Sequence, residues 1–240
     1  NGRDSVEVNT TFEHFPLSLA NAFMPDQVVA FTGDIDGGLY ISGAMEKPKL
    51  SGDLSLDSVS VYARQAGARY WFDNRPLKIE NNQLIFNKFA IYTTSRNPFT
   101  IDGNVDFRNM ENPTAKLNLR AQNYTLLDAP RTKESMIYGK IFVDLNATVR
   151  GPLDGLTMRG NMNLLGNTDV TYVLTDSPLT VEDRLGELVT FTSFTDTTSV
   201  QATEVPTMSL GGMDMLMSVH IDDAVRLRAD LSPDRSSRVE

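Results

Sequence analysis

Alternation of apolar and polar residues is the strongest signal along this chain, and it is clearest in residues 33–62. Leu39 and Ile41 share one parity, with Tyr40 and Ser42 on the other. Past a Pro48-Lys49 corner, Leu50, Gly52, Leu54 and Leu56 share a parity against Ser51, Asp53, Ser55 and Asp57. Strand side chains alternate faces with period 2, so each run predicts a strand with one apolar and one polar face. Between Leu56 and Val59 the parity slips by one, which predicts a bulge or tight corner at Asp57–Ser58.

A smaller pattern, apolar-x-Gly-x-apolar-x-apolar, occurs three times: Leu50-Gly52-Leu54-Leu56, Ile101-Gly103-Val105-Phe107 and Met158-Gly160-Met162-Leu164. A glycine within a strand marks a bend or a close backbone approach, so its recurrence on the apolar parity predicts a sheet that curls.

Along the rest of the chain, Val6 and Val8 predict an opening strand. Leu19, Ala20, Phe23 and Met24, bounded by Pro16 and Pro25, fall on one face of a short helix over 16–24 that would act as an apolar plug. Tyr70, Phe72, Leu77 and Ile79 lead through an Asn81-Asn82 turn to Leu84, Phe86, Phe89 and Ile91, the signature of folded-back strands. Strands follow around Gly103 and at Leu117 and Leu119, then a loop from Asn123 to Glu134. Ile141, Val143, Leu145, Ala147 and Val149 alternate up to Gly151-Pro152, and strands follow around Gly160 and through Val170, Tyr172 and Leu174. Residues 180–189 break the pattern, with Thr180 and Asp183 as a helix start and Leu185, Leu188 and Val189 on one face. A Thr/Ser-rich loop reaches Pro206, and Met215, Met217, Val219 and Ile221 close the chain as β structure.

Composition narrows the class. A hydrophobic content of 40% and a charged content of 22% are those of a folded chain. The formal net charge of −9 argues against nucleic acid or a passive anionic membrane surface as partner. There is no cysteine, hence no disulfide framework and no thiolate chemistry, and no apolar run long enough to span a bilayer. The start at Asn1 and the stop at Glu240, just after the alternating Val225, Leu227, Ala229 and Leu231, read as an interior piece of a longer protein, with 1–240 as a single elongated β domain.

Candidate chemistry is sparse. His14 and His220 are far apart and have no partners at ligand spacing, so no metal site is expected. Asp34-x-Asp36-Gly37 lacks the later ligands and closing glutamate of a calcium loop, and reads as a capped turn before a strand. Asp222 and Asp223 are neighbours that would point to opposite faces of a strand, which makes them a poor carboxylate pair. Asn9, Asn123 and Asn146 each begin a short glycosylation-acceptor pattern that is common by chance. Nothing supports an enzyme, and no cofactor is expected.

What remains is an all-β chain whose sheet curves around an apolar concave face with one or two short helices, and such a face must be filled by a second layer or an apolar ligand. The residues expected to line it are Leu39, Ile41, Leu54, Leu56, Val59, Val61, Val105, Phe107, Val143, Leu145, Met162, Leu164, Val170, Tyr172, Met215, Met217 and Val219.

The run GDIDGGLYISGAMEKPKLSGDLSLDSVSVY resembles the Gly-x-apolar-x-Gly…Pro-x-apolar-x-Gly pattern of the C-terminal region of the TamB family, within the AsmA-like superfamily. GNTDVTYVLTDSPLTVEDRLGELVTFTSF resembles the corresponding part of Bacteroidetes-type members. The resemblance implies a taco-like β half-pipe with an apolar groove, part of an inner-membrane-anchored protein that crosses the periplasm. It further implies phospholipid transport to the outer membrane and protein assembly there. Phospholipid acyl chains or outer-membrane protein clients would be partners, with a TamA-like barrel reached through the full-length protein. The alternative from a different class is a structural or adhesive β-solenoid with a closed, dry core and no lipid cargo.

Overall fold

A computed structural model describes residues 5–23, 29–64, 67–132, 135–173, 208–210 and 213–230. Described in chain order, the strands are β1 (Ser5–Pro16), β2 (Val29–Ala44), β3 (Lys49–Ala63), β4 (Ala68–Phe72), β5 (Leu77–Glu80), β6 (Gln83–Tyr92) and β7 (Phe99–Asp106). They continue with β8 (Thr114–Ala129), β9 (Ile137–Pro152), β10 (Thr157–Leu164), β11 (Asp169–Val173), β12 (Met208–Leu210), β13 (Met213–Ile221) and β14 (Arg226–Asp230). All fourteen belong to one sheet, in the order β1-β2-β3-β4-β6-β7-β8-β9-β10-β13-β12. The fold is thus all-β, one large curved mixed sheet: the alternation predicts the curved β sheet, and the form is consistent with the half-pipe that the family resemblance implies.

The sheet is built from long strands and from short strands laid end to end beside them. β3 pairs with β5 through Gly52–Leu54 and with β4 through Ser60–Ala63. β9 likewise carries β10 along its C-terminal half and β11 along its N-terminal half. β13 and β14 then run parallel to β10 and β11, whereas β1 through β11 pair antiparallel. Alternation reports faces and not strand direction, so this parallel step has no counterpart in the sequence pattern.

A line of backbone irregularities crosses the sheet at one level. In β1 the register breaks between Phe12 and Phe15, in β6 between Phe86 and Phe89, and in β8 between Ala121 and Tyr124. In each case two residues oppose one, and the second is left-handed: His14 (φ 48°), Lys88 (φ 48°) and Asn123 (φ 45°). The single opposing residue is an aspartate, Asp36, Asp102 or Asp144. Its Oδ1 accepts the backbone N–H of the left-handed residue at 2.8, 2.8 and 2.7 Å. β3 bulges at Ser58 (φ 51°), as its parity slip predicts, and Gly33 stands opposite. A bulged strand bends and twists, so bulges aligned across neighbours crease the sheet. The gaps between β4 and β5, between β10 and β11, and between β13 and β14 fall on the same line.

The crease bends toward the apolar face. Ala68 and Tyr70 of β4 pack on that side against Leu127 and Ala129 of β8, with Val170 of β11, although β6 and β7 lie between β4 and β8 in the sheet. A second buried cluster, Ala121, Tyr124 and Val143, follows the crease. Polar groups past the crease are tied into the backbone: Thr93 Oγ1 donates to Thr125 O at 2.8 Å, and Tyr70 OH to Leu126 O at 2.9 Å.

Three local expectations are corrected. The segment from Asn123 to Glu134 is not a loop throughout, because β8 runs on to Ala129 and Asn123 is its bulge, whose extra residue interrupts the parity. Asp34–Gly37 is not a turn before a strand but lies inside β2, where Asp36 serves the bulge of β1. The helix after Pro16 is a 3-10 helix, Leu17–Phe23. Residues i and i+3 share a face there, so Leu17 and Ala20 are half-buried while Leu19 is exposed and not part of a plug. Asn21 fixes it by exchanging two hydrogen bonds with the Phe31 backbone. Asn81 and Asn82 are both left-handed and turn β5 into β6 as expected. The helix expected at 180–189, the loop that follows it and Leu174 lie outside the described residues.

Candidate functional site

Directly paired residues of neighbouring strands project to the same face, so the register sorts every side chain by side. On one side runs the row Ile91, Phe99, Ala121, Leu145, Met162, Val219 across β6, β7, β8, β9, β10 and β13. Beside it lies Phe89, Ile101, Leu119, Ala147, Gly160, Met217, and then Phe86, Gly103, Leu117, Val149, Met158, Met215. The opposite side carries rows such as Thr100, Arg120, Asn146, Asn161, Ser218. One face is therefore apolar without interruption over six strands, and the other is polar.

Most of the residues singled out from the sequence fall on the apolar face. Leu39 and Ile41 pair with Gly52 and Leu50, Leu54 with Leu77, and Val105 with Leu84 and Ala115. Leu56 pairs with Ile35 just before the crease; beyond it Val61 pairs with Tyr70, and Val59 is buried. Val143, Leu145, Met162 and Leu164 belong to the cluster around Tyr124, and Val170 to that around Leu127. Met215, Met217 and Val219 continue the rows onto β13. Phe107 lies past the end of β7, its N–H bonded to Asn82 O at 2.7 Å, and so belongs to a turn rather than to a row. Tyr172 shares the parity of Val170 but is 38% exposed.

Sequence reasoning left Phe86, Phe89, Phe99, Ile101, Leu117, Leu119, Val149 and Met158 out of this set. A signal for three of them, Phe86, Phe89 and Ile101, is the repeated pair Phe12-x-x-Phe15 and Phe86-x-x-Phe89, each followed in the next strand by Ile-Asp-Gly at 35–37 and 101–103. Both phenylalanine pairs meet edge to face with centroids 5.9 Å apart. Phe72 against Phe89 at 6.2 Å and Phe99 against Tyr124 at 5.8 Å extend an aromatic band along the crease.

Burial divides the apolar face. Along and beyond the crease, Val59, Ala68, Phe89, Tyr124, Leu127, Ala129, Val143 and Val170 are buried. On the other side, Ile79, Ala115, Ala147 and Val149 are buried, but Leu39, Ile41, Leu50, Leu54, Leu56, Val105, Leu117, Leu119, Met158, Met162, Met215 and Met217 are only half-buried. Towards the last strands the same face opens further, with Val219 52% and Leu227 57% exposed. The glycines on this face let the strands close up: a Cβ on Gly103 would stand 2.1 Å from Lys116 O.

The three apolar rows contain no charged residue, and the ionisable groups packed beyond them are phenols. Burial pushes the phenols of Tyr70 and Tyr124 above their ordinary value. Charge is kept to strand ends and the polar face, where Arg108 pairs with Asp106, Arg75 with Asp73 and Arg228 with Asp169. His220 lies on β13 with no metal-ligand neighbours among the described residues, but His14 meets Asp36 and Asp57 on the polar side of the crease. Their separation in the chain hides that group from any spacing rule.

No described helix is long and apolar enough to cross a membrane. No curated protein and no solved structure matches the chain. A family model described as the TamB C-terminal domain matches residues 87–236, from within β6 past the end of β14 and well over half of the chain. The chain belongs to the TamB family, whose members are modules of envelope assembly and transport.

Proposed function

We propose that the apolar face is an open trough that carries phospholipid acyl chains, and that the chain is a periplasmic section of a TamB-like protein serving lipid transport to, and protein assembly in, the outer membrane. The observation that carries this reading is the combination of unbroken apolar rows with half-burial. A closed solenoid would bury every side chain of the row Phe86, Leu117, Val149, Met158, Met215 as fully as Leu127, yet only Val149 is buried and the other four keep solvent access. Each exposed apolar Å² costs roughly 25 cal/mol in water, so such a face is stabilised by an apolar occupant. The absence of charge from the rows suits hydrocarbon, while charged headgroups could stay at the open side in water. The aliphatic and methionine side chains of the half-buried rows impose no directional chemistry, as cargo of variable chain length requires. Delivery would run through the full-length protein, with a TamA-like barrel as its outer-membrane partner.

The test is photocrosslinking in living cells, with a probe placed in the full-length protein at Leu54, Val105 or Met162 and, for comparison, at Asp53 or Asn161 on the polar parity. Phospholipid adducts at the first three positions and not at the last two are expected. Equal labelling of both parities, or none at either, would replace the trough with a closed structural solenoid. Crosslinks to unfolded barrel proteins in place of lipid would keep the trough and change its cargo.

A further inference from the structure

The three aspartate-bridged bulges make the same backbone demand. Each needs a residue that tolerates the left-handed region and a carboxylate on the next strand to take its N–H. Lys88 and Asn123 meet that demand in two of them, and their side chains go no further into the motif. In the first bulge the residue is His14, and its imidazole turns back to the bridging carboxylate, with Nδ1 3.6 Å from Asp36 Oδ1. Asp57, on the third strand, completes the group: one ligand atom each from His14, Asp36 and Asp57 lies within 4.8 Å of the others. Asp34 pairs with Asp57 in the register and adds a third acid to the same polar face. Among the described residues no Arg or Lys pairs with Asp34, Asp36 or Asp57; the bridging Asp102 and Asp144 lack one too, but neither of them has a histidine and a further carboxylate beside it at ligand distance. The fold accounts for Asp36 but not for the imidazole and the further carboxylates gathered around it.

We propose that His14, Asp36 and Asp57 bind one first-row divalent cation of the Zn²⁺ class and that the ion ties edge strand β1 to β2 and β3. One imidazole nitrogen and two carboxylate oxygens form a borderline donor set that suits Zn²⁺, Co²⁺ or Ni²⁺. Ca²⁺ asks for six or more oxygens, and Mg²⁺ for a near-ideal octahedron. Asp36 Oδ1 already holds the His14 N–H, which leaves Oδ2 as the metal-facing oxygen. Metal–ligand bonds of about 2.0–2.2 Å bring the donors closer together than they stand now. The exposed His14 side chain and the exposed Asp57 can close that gap by rotation, with water filling the remaining positions. β1 pairs only with β2 among the described strands, and most of its residues are exposed, so a bridge at Phe12–Phe15 would hold the strand where its own register is broken.

Zn²⁺ titrated calorimetrically into the metal-stripped chain tests this, together with amide exchange over residues 5–16. One ion per chain is expected, with slower exchange in β1, and no such effect from Mg²⁺ or Ca²⁺. His14→Asn keeps a residue that tolerates the left-handed region and Asp57→Asn keeps the size of the side chain, and each should weaken binding about tenfold or more. His220→Gln should change nothing. Undiminished binding in both of the first two variants, or loss with His220→Gln, would assign the ion to another place and overturn the proposal. Failure of Zn²⁺ to bind or to slow β1 exchange would do the same. None of these results bears on the trough, whose crosslinking test uses other residues.

Discussion

Leu127 and Leu54 carry the same side chain on the same face and differ in what surrounds them. Leu127 is 5% exposed, in a cluster with Ala68, Ala129 and Val170, while Leu54 is half-buried. Leu→Ala removes three carbons. At about 0.8 kcal/mol per buried CH₂ the transfer loss at Leu127 is roughly 2.4 kcal/mol, and the enclosed cavity brings the total to about 3–4 kcal/mol. At Leu54 about half of the transfer term applies and no sealed cavity forms, so the cost should be about 1 kcal/mol. Urea unfolding followed by the fluorescence of Trp71, the single tryptophan, resolves that gap. With a slope of about 2 kcal/mol per molar, the midpoints of the two variants should differ by roughly 1 M. A cost at Leu54 equal to that at Leu127, at unchanged slope, would mean that the face is sealed there, and the trough reading would fail. Leu54→Asp sharpens the contrast, since a carboxylate at an open wall keeps its water while one in a sealed core costs several kcal/mol.

Other expectations follow from single contacts. Asp102→Ala should cost about 0.5–1.5 kcal/mol by leaving the Lys88 N–H to water, and Lys88→Gly in the same chain should recover part of it; a thermal melt unchanged by Asp102→Ala would deny the bridge its role. Gly103→Ala, at φ 131° and with Lys116 O 2.1 Å from the new Cβ, should destabilise by roughly 3 kcal/mol or more, and a cost under about 1 kcal/mol would mean that β7 and β8 sit further apart. The Arg108 guanidinium holds the Asp106 carboxyl well below the usual carboxylate range. A depressed folded value contributes stability above the unfolded pKa of about 3.9 and loses it as pH falls towards the folded one. The melting-temperature difference between the parent and Arg108→Ala should therefore shrink below about pH 4, and a gap that widened there would contradict the pairing.

Strand periodicity made most of this fold legible, because a one-sided sheet imposes period 2 wherever it is regular. The parity slip at Asp57–Ser58 and the Asn81-Asn82 turn were readable because each leaves a local mark, a lost alternation or two residues suited to left-handed backbone. The bulge at Asn123 left the same mark, but Asn and Gln beside an interrupted pattern also describe a loop, and the hydrogen bond to Asp144 that distinguishes the two comes from another strand. The His14, Asp36, Asp57 group was hidden for the same reason: its members meet only once three strands are laid side by side. Helix geometry misled differently, since the 3.6-residue face through Leu19 becomes a three-residue face through Leu17 and Ala20 in a 3-10 turn.

The crease links the sequence to the proposed function. A flat sheet with these rows would expose its whole apolar face, and a strand that bent without an extra residue would strain its ladder. A bulge adds one residue, so Phe86 and Phe89 both reach the apolar side although three positions separate them, opposite Gly103 and Ile101, which are two apart. The extra residue must go left-handed, and its N–H then points away from the ladder toward the one group positioned to take it, the side chain of Asp102 between those two. Parity thus shifts in the bulged strand and holds in its partner, which keeps the apolar rows continuous through the bend. Moving a bulge by one residue would turn the rest of that strand's apolar residues to the polar face. The Asp that fixes the bulge therefore also fixes which residues face the apolar interior. By this argument, inserting one residue between Lys88 and Phe89 should expose Phe89 and Ile91 and unfold the far half of β6. Deleting Lys88, which restores simple alternation, should flatten the sheet locally while leaving Phe86 in place.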